Sequence, residues 1–172
     1  MYGDGFADFL NSLPAASELP YLADVARLDR LWIESFAANI EPALDVAALA
    51  EVPPEALGAL VLQPRPSARW QWFASLPIFT LWYYNREGRE LPDPIQWQGE
   101  GALLIGDVNG VAAHPIHEAS ALFLDACRRQ VSLDQACEFV QRTYPDTDFN
   151  HLLGQLLAAR AFAAIDPSSR TA

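Results

Sequence analysis

The stretch "ALLIGDVNGVAAHPI", residues 102–116, contains two short apolar runs on either side of Asn109 and Gly110. An Asn-Gly pair between such runs is a strong signal for a tight β-hairpin, because both turn positions need positive φ. We therefore predict a two-stranded ribbon that turns at this pair. The ribbon has an uncovered strand edge, where an extended segment of another chain can add a strand.

Two helices are predicted directly after the ribbon. In "IHEASALFLDACRRQ", residues 116–130, apolar residues recur at helical spacing, and two arginines suit the negative end of the helix. Ser132 and Gln135 match a capping box that starts the second helix. That helix is expected to bury three apolar residues: Ala136, Phe139 and Val140.

A third helix is predicted to begin near Asp148 and to carry an apolar stripe of leucines. Two outcomes stay open for "AFAAI", residues 161–165, which follows it. The segment is either a short terminal strand or a continuation of the helix. Continuation is favoured by Arg160, because a residue with a side chain resists the left-handed conformation of a glycine terminator.

Upstream of the ribbon, "RWQWFASLPIFTLWYYN", residues 69–85, holds three of the five Trp and two of the five Tyr. Pro77 suits the first turn of a helix that follows it. Aromatic side chains dominate small cores, whereas stacking on nucleic acid needs a basic groove around the rings. We therefore expect core or partner packing here. A longer helix is predicted earlier, from about Pro20 to Asn39.

These elements predict a mostly helical α+β fold in two lobes. A helical, aromatic-rich N-terminal lobe spans residues 1–92, and a winged-helix-like C-terminal lobe with a small β-ribbon spans residues 93–172. The boundary is placed in "GRELPDPIQWQGEG", residues 88–101, which is rich in Pro, Gly and polar residues.

The charge balance disfavours nucleic acid as a partner. The chain of 172 residues has a formal net charge of -11, and all 11 of its cations are Arg. Proteins that bind nucleic acid neutralise phosphates with clustered Lys and Arg, so this balance favours a basic protein surface instead. The N-terminus has neither a basic region nor a long apolar run, which predicts no signal peptide, no membrane span and a cytoplasmic location.

Residues with the potential for catalysis or metal binding are few. Cys127 and Cys137 lie outside any CxxC spacing and are interpreted as buried free thiols. His114 and His117 in "HPIH" lack an acidic or thiol companion at ligand spacing, so a structural role is favoured over a metal site. No GxSxG motif and no phosphate-binding Gly loop occurs. We expect neither catalysis nor a cofactor.

Seven stretches, in order, resemble the HvfC/BufC family: "YGDGFADFL", "LPYLADVARLDRLW", "LAEVPPEALGAL", "PSARWQWFASLPIFTLWYYN", "EASALFLDAC", "SLDQACEF" and "DFNHLLGQLLAARAF". Members are often labelled DNA-binding domain proteins, and the family includes relatives of the methanobactin partner subunit. Members usually carry a further N-terminal helical domain with an "RNN"-like segment, which this sequence lacks. Whether the chain is a fragment or a shortened paralogue stays open.

The resemblance implies a bacterial partner subunit that forms a heterodimer with a multinuclear iron oxidase in bufferin- or methanobactin-type peptide maturation. The subunit helps to present a ribosomally made, Cys-containing precursor through its leader peptide, and the iron ligands belong to the oxidase. On this hypothesis four residues line or support the peptide-capturing ribbon: Leu103, Ile105, Val111 and Ala113. Five aromatic residues contribute to the core and to the enzyme-facing surface: Trp70, Trp72, Phe73, Trp82 and Tyr83.

Two other functions compete with this hypothesis. The first is a transcriptional regulator that places the third helix on DNA, where Asn150, His151, Gln155 and Arg160 are available but Asp146 and Asp148 stand at the front. The second is a stand-alone metal-buffering protein.

Overall fold

A three-stranded antiparallel sheet forms the centre of the structure. The structure is a computed structural model. It describes residues 5–165, without the side chains of residues 15 and 17. The strands are β1 (Ala68–Phe73), β2 (Glu100–Asp107) and β3 (Gly110–Ile116), in the order β1-β2-β3. The predicted ribbon is therefore present as β2 and β3. The prediction of two strands was incomplete, because β1 pairs along the other side of β2.

Helices make up most of the rest of the described chain, so the prediction of a mostly helical α+β fold is confirmed. A 3-10 helix spans Pro14–Glu18. The α-helices are α1 (Phe6–Ser12), α2 (Leu22–Ala37), α3 (Val46–Ala50), α4 (Pro54–Leu57), α5 (Ile78–Arg86), α6 (Glu118–Arg128), α7 (Leu133–Thr143) and α8 (Phe149–Ala158). Within residues 5–165, none of these helices has the length and apolar character that crossing a membrane requires.

Helices cover both faces of the sheet. On one face, Leu104 of β2 and Phe73 of β1 pack with α2 and α5 in a core that includes Leu28 and Trp82. On the other face, Leu103 and Ile105 pack with α6, α7 and α8. Since β2 has helices on both faces, its apolar run "ALLI" is continuous rather than alternating.

Strands from both sides of residue 92 build this sheet. β1 precedes the segment 87–99, which contains no helix or strand, and β2 and β3 follow it. Helices α2 and α5 also pack against β2. The chain on either side of the predicted lobe boundary thus shares one sheet.

The hairpin turn differs in detail from the prediction. Asp107 pairs with Gly110, so Val108 and Asn109 form the two-residue loop. Gly110 has a φ of 119°, while Asn109 is not among the residues with positive φ. The prediction that both Asn109 and Gly110 take positive φ was therefore wrong. Only the glycine, at the start of β3, supplies the left-handed backbone that closes the turn.

Helix α2 comes unusually close to the sheet at Gly106. A Cβ atom at this position would lie well inside van der Waals contact of the Ser35 carbonyl oxygen, so only glycine fits without moving the helix. Two buried hydroxyls join the layers here: Ser35 donates to the Ser67 carbonyl at 2.6 Å, and Ser67 donates to the Gly106 carbonyl at 2.8 Å.

The C-terminal helices follow the sequence prediction except at Phe139. The capping box of Ser132 and Gln135 is present, and Ala136 and Val140 are buried. Phe139, predicted to be buried, is 40% exposed, and Arg129 lies over its ring at 5.8 Å from the centroid. A cation on an aromatic face offsets part of the cost of leaving the ring in water.

Helix α8 ends at Ala158, and Arg160 takes the left-handed conformation, with a φ of 60°. The Ala161 N–H donates to the Leu156 carbonyl and the Arg160 N–H to the Leu157 carbonyl, which is the hydrogen-bond pattern of a Schellman terminator. The expectation that Arg160 would let the helix continue was therefore wrong. The following residues form two isolated bridges, Ala43 with Ala163 and Pro64 with Phe162, rather than a strand.

Candidate docking site at the sheet edges

The direction of the backbone hydrogen bonds decides which groups the edges of the sheet present. The Gly106 N–H donates to the Ser67 carbonyl at 3.4 Å, so even-numbered residues of β2 bond towards β1. Hydrogen bonds in an antiparallel pair alternate from residue to residue, so odd-numbered residues of β2 bond towards β3. Given the register, the backbone groups of Val111, Ala113 and Pro115 point away from β2, to the open edge of β3.

The open edge of β3 can accept one added strand. Val111 and Ala113 each present an N–H donor and a C=O acceptor there, while Pro115 presents only an acceptor. The side chains of Val111 and Ala113 are half-buried against the α2 and α5 core, so they are held in place. An extended peptide would exchange two backbone hydrogen bonds at each of two successive outward positions, but it could only donate one to the carbonyl at the third.

The four residues predicted for peptide binding divide into two pairs. Val111 and Ala113 lie on the edge strand, as described above. Leu103 and Ile105 lie on the central strand with exposed fractions of 0% and 2%, in the core that also contains residues of α6, α7 and α8. These two side chains support the ribbon from below, and a bound peptide has no access to them.

The five aromatic residues predicted for partner binding lie on opposite faces of the sheet. Trp70 and Trp72 are half-buried against the α6, α7 and α8 core. Phe73 and Trp82 are buried in the other core, where Tyr83 is half-buried. The structure therefore brings the five residues onto no common surface.

Polar contacts hold two of the tryptophans, Trp70 and Trp82, in place. The Trp70 indole N–H donates to Asp125 at 3.1 Å, and the Arg128 guanidinium lies over its ring at 5.0 Å from the centroid. The Trp82 indole N–H donates to Asp29 at 3.3 Å. Each indole nitrogen thus has a partner although most of the ring is removed from water.

Sequence reasoning missed the second edge of the sheet, which belongs to β1. The same alternation directs the backbone groups of Ala68, Trp70 and Trp72 away from β2. The signal was present in "ARWQWF", residues 68–73, where large apolar and polar side chains alternate as on a strand.

Burial shifts the pKa values of titratable groups near the sheet. Burial lowers the pKa of His114, which favours the neutral imidazole. Burial raises the pKa of the Cys127 thiol to about 12, with the neighbouring Cys137 as a smaller cause, and both cysteines are free thiols. Thiols that hold their protons this firmly are poor nucleophiles. Within residues 5–165, no group of three or more His, Cys, Asp and Glu side chains could hold a metal ion.

The exposed side of α8 carries the residues considered for DNA contact. Asn150, His151, Gln155 and Arg160 are all exposed. Asp148 caps the helix by accepting the His151 N–H at 3.1 Å. Arg160, the cation among the four, lies 3.9 Å from the Asp107 carboxylate.

Comparison with protein-family models, with curated proteins and with solved structures found no match to this chain in any of the three.

Proposed function

We propose that the protein is a non-catalytic partner subunit that recognises an extended peptide by strand addition. The observation that carries this proposal is the open edge of β3, where the backbone donors and acceptors of Val111 and Ala113 point outward and have no backbone partner among residues 5–165. An edge strand of this kind binds extended segments through main-chain hydrogen bonds, whatever their sequence, and adjacent side chains add selectivity.

The proposed peptide is a ribosomally made, Cys-containing precursor, and the proposed partner is a multinuclear iron oxidase that forms a heterodimer with this chain in the cytoplasm. These specifics rest on the family resemblance in the sequence. In this proposal the oxidase supplies the iron and this chain supplies the binding surface.

The test combines genetics with binding. The chain is co-expressed with an iron oxidase and a small Cys-containing precursor encoded beside it, and a stable complex of the three is expected in size-exclusion chromatography. Absence of such neighbouring genes, or failure of the chain to join either product, would contradict the proposal. Binding to duplex DNA that weakens with salt would support a transcriptional regulator instead.

A pair of proline variants separates edge binding from general damage. Ala113→Pro removes an outward N–H and leaves the β2 to β3 hydrogen bonds in place, so precursor affinity is expected to fall about tenfold. Val108→Pro introduces the same residue into the same hairpin at an exposed turn position. It removes the Val108 N–H that donates to the Asp107 carboxylate, but no outward group of β3, so affinity should be retained. Circular dichroism verifies that both variants fold. Equal affinity of the two variants would exclude the β3 edge.

A further inference from the structure

Helix α2 turns different sides towards the two edges of the sheet. Glu34 faces β1, because its carboxylate accepts a hydrogen bond from the Arg69 guanidinium at 3.0 Å. Trp32 lies on the other side of the helix and packs against the same core as Val111 of β3. Phe36 follows Trp32 by one helical turn, and their rings stack with centroids 5.5 Å apart. Phe36 therefore lies on the β3 side of the helix.

The backbone of α2 brings Phe36 close to the start of β3. The carbonyl of Ser35, the preceding residue, lies directly against Gly106 of β2. Gly106 pairs with Val111 of β3. The Phe36 side chain is therefore beside Val111, which is the first of the two outward positions on the open β3 edge.

The surface that Phe36 offers is aromatic and uncharged. The residue is 62% exposed, although one face of its ring stacks on Trp32. The Arg86 guanidinium lies 3.7 Å from the centroid of the Trp32 ring, and it pairs with the Asp29 carboxylate at 3.0 Å. Since this cation already has a carboxylate partner, an apolar side chain suits the free side of the Phe36 ring better than a charged one.

Strand addition at β3 would bring one side chain of the peptide to this ring. Residues directly opposite each other on neighbouring strands point to the same face of a sheet, with their Cβ atoms roughly 5 Å apart. The peptide residue opposite Val111 would therefore project onto the face that carries Phe36. The next peptide residue would project onto the other face, beside Ala112, which is exposed. The two faces of an added strand thus meet different surroundings.

We propose that Phe36 is a specificity-determining residue of the β3 edge, and that it selects precursor segments with a large apolar side chain opposite Val111. The inference rests on the proposed function, because it requires an extended peptide that pairs with β3. Main-chain hydrogen bonds accept any sequence, so Phe36 supplies selectivity that the backbone lacks. The preferred segment alternates apolar side chains towards Phe36 with polar side chains towards water.

Two other occupants suit this surface less well. A second copy of the chain would bring together two molecules that each have a net charge of -11. Nucleic acid needs cations around an aromatic ring on which a base stacks, and Arg86, the cation of this cluster, is already paired with Asp29.

Two fluorescein-labelled model peptides test the inference by fluorescence anisotropy. One alternates Thr with Phe and the other alternates Thr with Ala, and both carry the same terminal lysines for solubility. The Thr-Phe peptide is expected to bind at least about tenfold more tightly, because its side chains remove more apolar surface from water on Phe36.

Two alanine variants of exposed α2 residues form a matched pair. Phe36→Ala is expected to weaken binding of the Thr-Phe peptide about tenfold and to change binding of the Thr-Ala peptide less than about twofold. General damage to the fold would weaken both. Ile33→Ala is the control, because Ile33 is 54% exposed and lines a separate cavity with residues of α1 and β1. It should leave the affinity of both peptides unchanged.

Ala113→Pro separates this inference from the proposed function. It removes an outward N–H of β3 and should weaken binding of both peptides. If it does so while Phe36→Ala affects the two peptides equally, or affects neither, strand addition stands and the inference about Phe36 is wrong. If neither peptide binds, or Ala113→Pro changes nothing, both are wrong.

Two further results would overturn the inference alone. The first is an equal loss of Thr-Phe binding in Phe36→Ala and Ile33→Ala, which would indicate unspecific adhesion to α2. The second is self-association without peptide that Phe36→Ala abolishes, which would assign the ring to a second copy of the chain. Analytical ultracentrifugation of the wild type and of Phe36→Ala measures this.

Discussion

Glu100, the first residue of β2, caps helix α5 through Thr80. Its two carboxylate oxygens accept the Thr80 backbone N–H at 2.8 Å and the Thr80 hydroxyl at 2.7 Å. The residue that precedes the helix, Pro77, makes no side-chain cap, so the first turn depends on this distant carboxylate. The contact fixes α5 to the end of the central strand.

Removal of this cap should destabilise the protein. Glu100→Ala is expected to lower the free energy of unfolding by about 1 kcal/mol, because the Thr80 N–H loses its acceptor at the positive end of the helix. Glu100→Gln should lose less, since its amide oxygen still accepts one hydrogen bond. Urea denaturation measures both. Glu87→Ala, at the exposed C-terminal end of the same helix, is the control and should change little.

Among the glycines of residues 5–165, Gly106 is expected to be the most sensitive to an added methyl group. Gly106→Ala forces α2 away from the sheet at Ser35. Overpacking of this kind lowers the free energy of unfolding by up to about 3 kcal/mol. Gly154→Ala is the matched control, because its Cβ would meet nothing within 4 Å on an exposed helical position. That control should stabilise the protein by about 0.5–1 kcal/mol. A destabilised Gly154→Ala, or a neutral Gly106→Ala, would contradict the packing described.

Arg160→Gly should stabilise the protein. The left-handed backbone of residue 160 costs about 1 kcal/mol for a residue with a side chain and little for glycine. The loss of its 3.9 Å contact with Asp107 subtracts little, because Arg160 is mostly exposed. Thermal denaturation should show a higher midpoint for Arg160→Gly. Arg142→Gly, in the last turn of α7, is expected to lower the midpoint, because glycine has a low helix propensity.

Stability should fall at alkaline pH because of Cys127. Its pKa is raised from 9.0 to about 12 by burial, so the folded protein keeps the thiol proton at pH values where the unfolded chain has lost it. The unfolded state then binds fewer protons, and the free energy of unfolding falls by about 1.4 kcal/mol per pH unit above the unfolded pKa. Below that pH the group has no effect on the slope.

Denaturation curves between about pH 8 and pH 11 test this prediction, because this range begins below the unfolded pKa of Cys127 and extends towards its folded pKa. Cys127→Ala should flatten the decline in stability, and Cys137→Ala should flatten it less because that thiol is only half-buried. Identical slopes for the wild type and Cys127→Ala would show that other groups control the alkaline response.

Features that depend on neighbouring residues could be predicted from the sequence. The capping box of Ser132 and Gln135, the cap at Asp148 and the hairpin near Gly110 all join residues within a few positions of one another. Such features are determined by residues close together in the chain, so a short stretch of sequence is enough to predict them.

Features that depend on distant contacts could not be predicted in the same way. β1 is a strand because it pairs with β2 more than 25 residues later, and Glu100 caps a helix that lies before it in the chain. Arg160 takes a strained backbone because the tertiary fold places Ala161 and Phe162 in the core beyond the helix end. The alternation in residues 68–73 indicates a strand, but which side of that strand becomes the open β1 edge depends on its pairing with β2.

Pro115 has a consequence for the behaviour of the protein at high concentration. A strand edge left open to bind others is also a template on which identical chains can stack into fibrils. Proline removes one donor from the β3 edge, so two copies of the chain cannot pair along the full length of this edge. The net negative charge of the chain also makes the copies repel one another. Replacement of Pro115 by a residue with a backbone N–H would complete the row of donors on the β3 edge and remove that protection against aggregation.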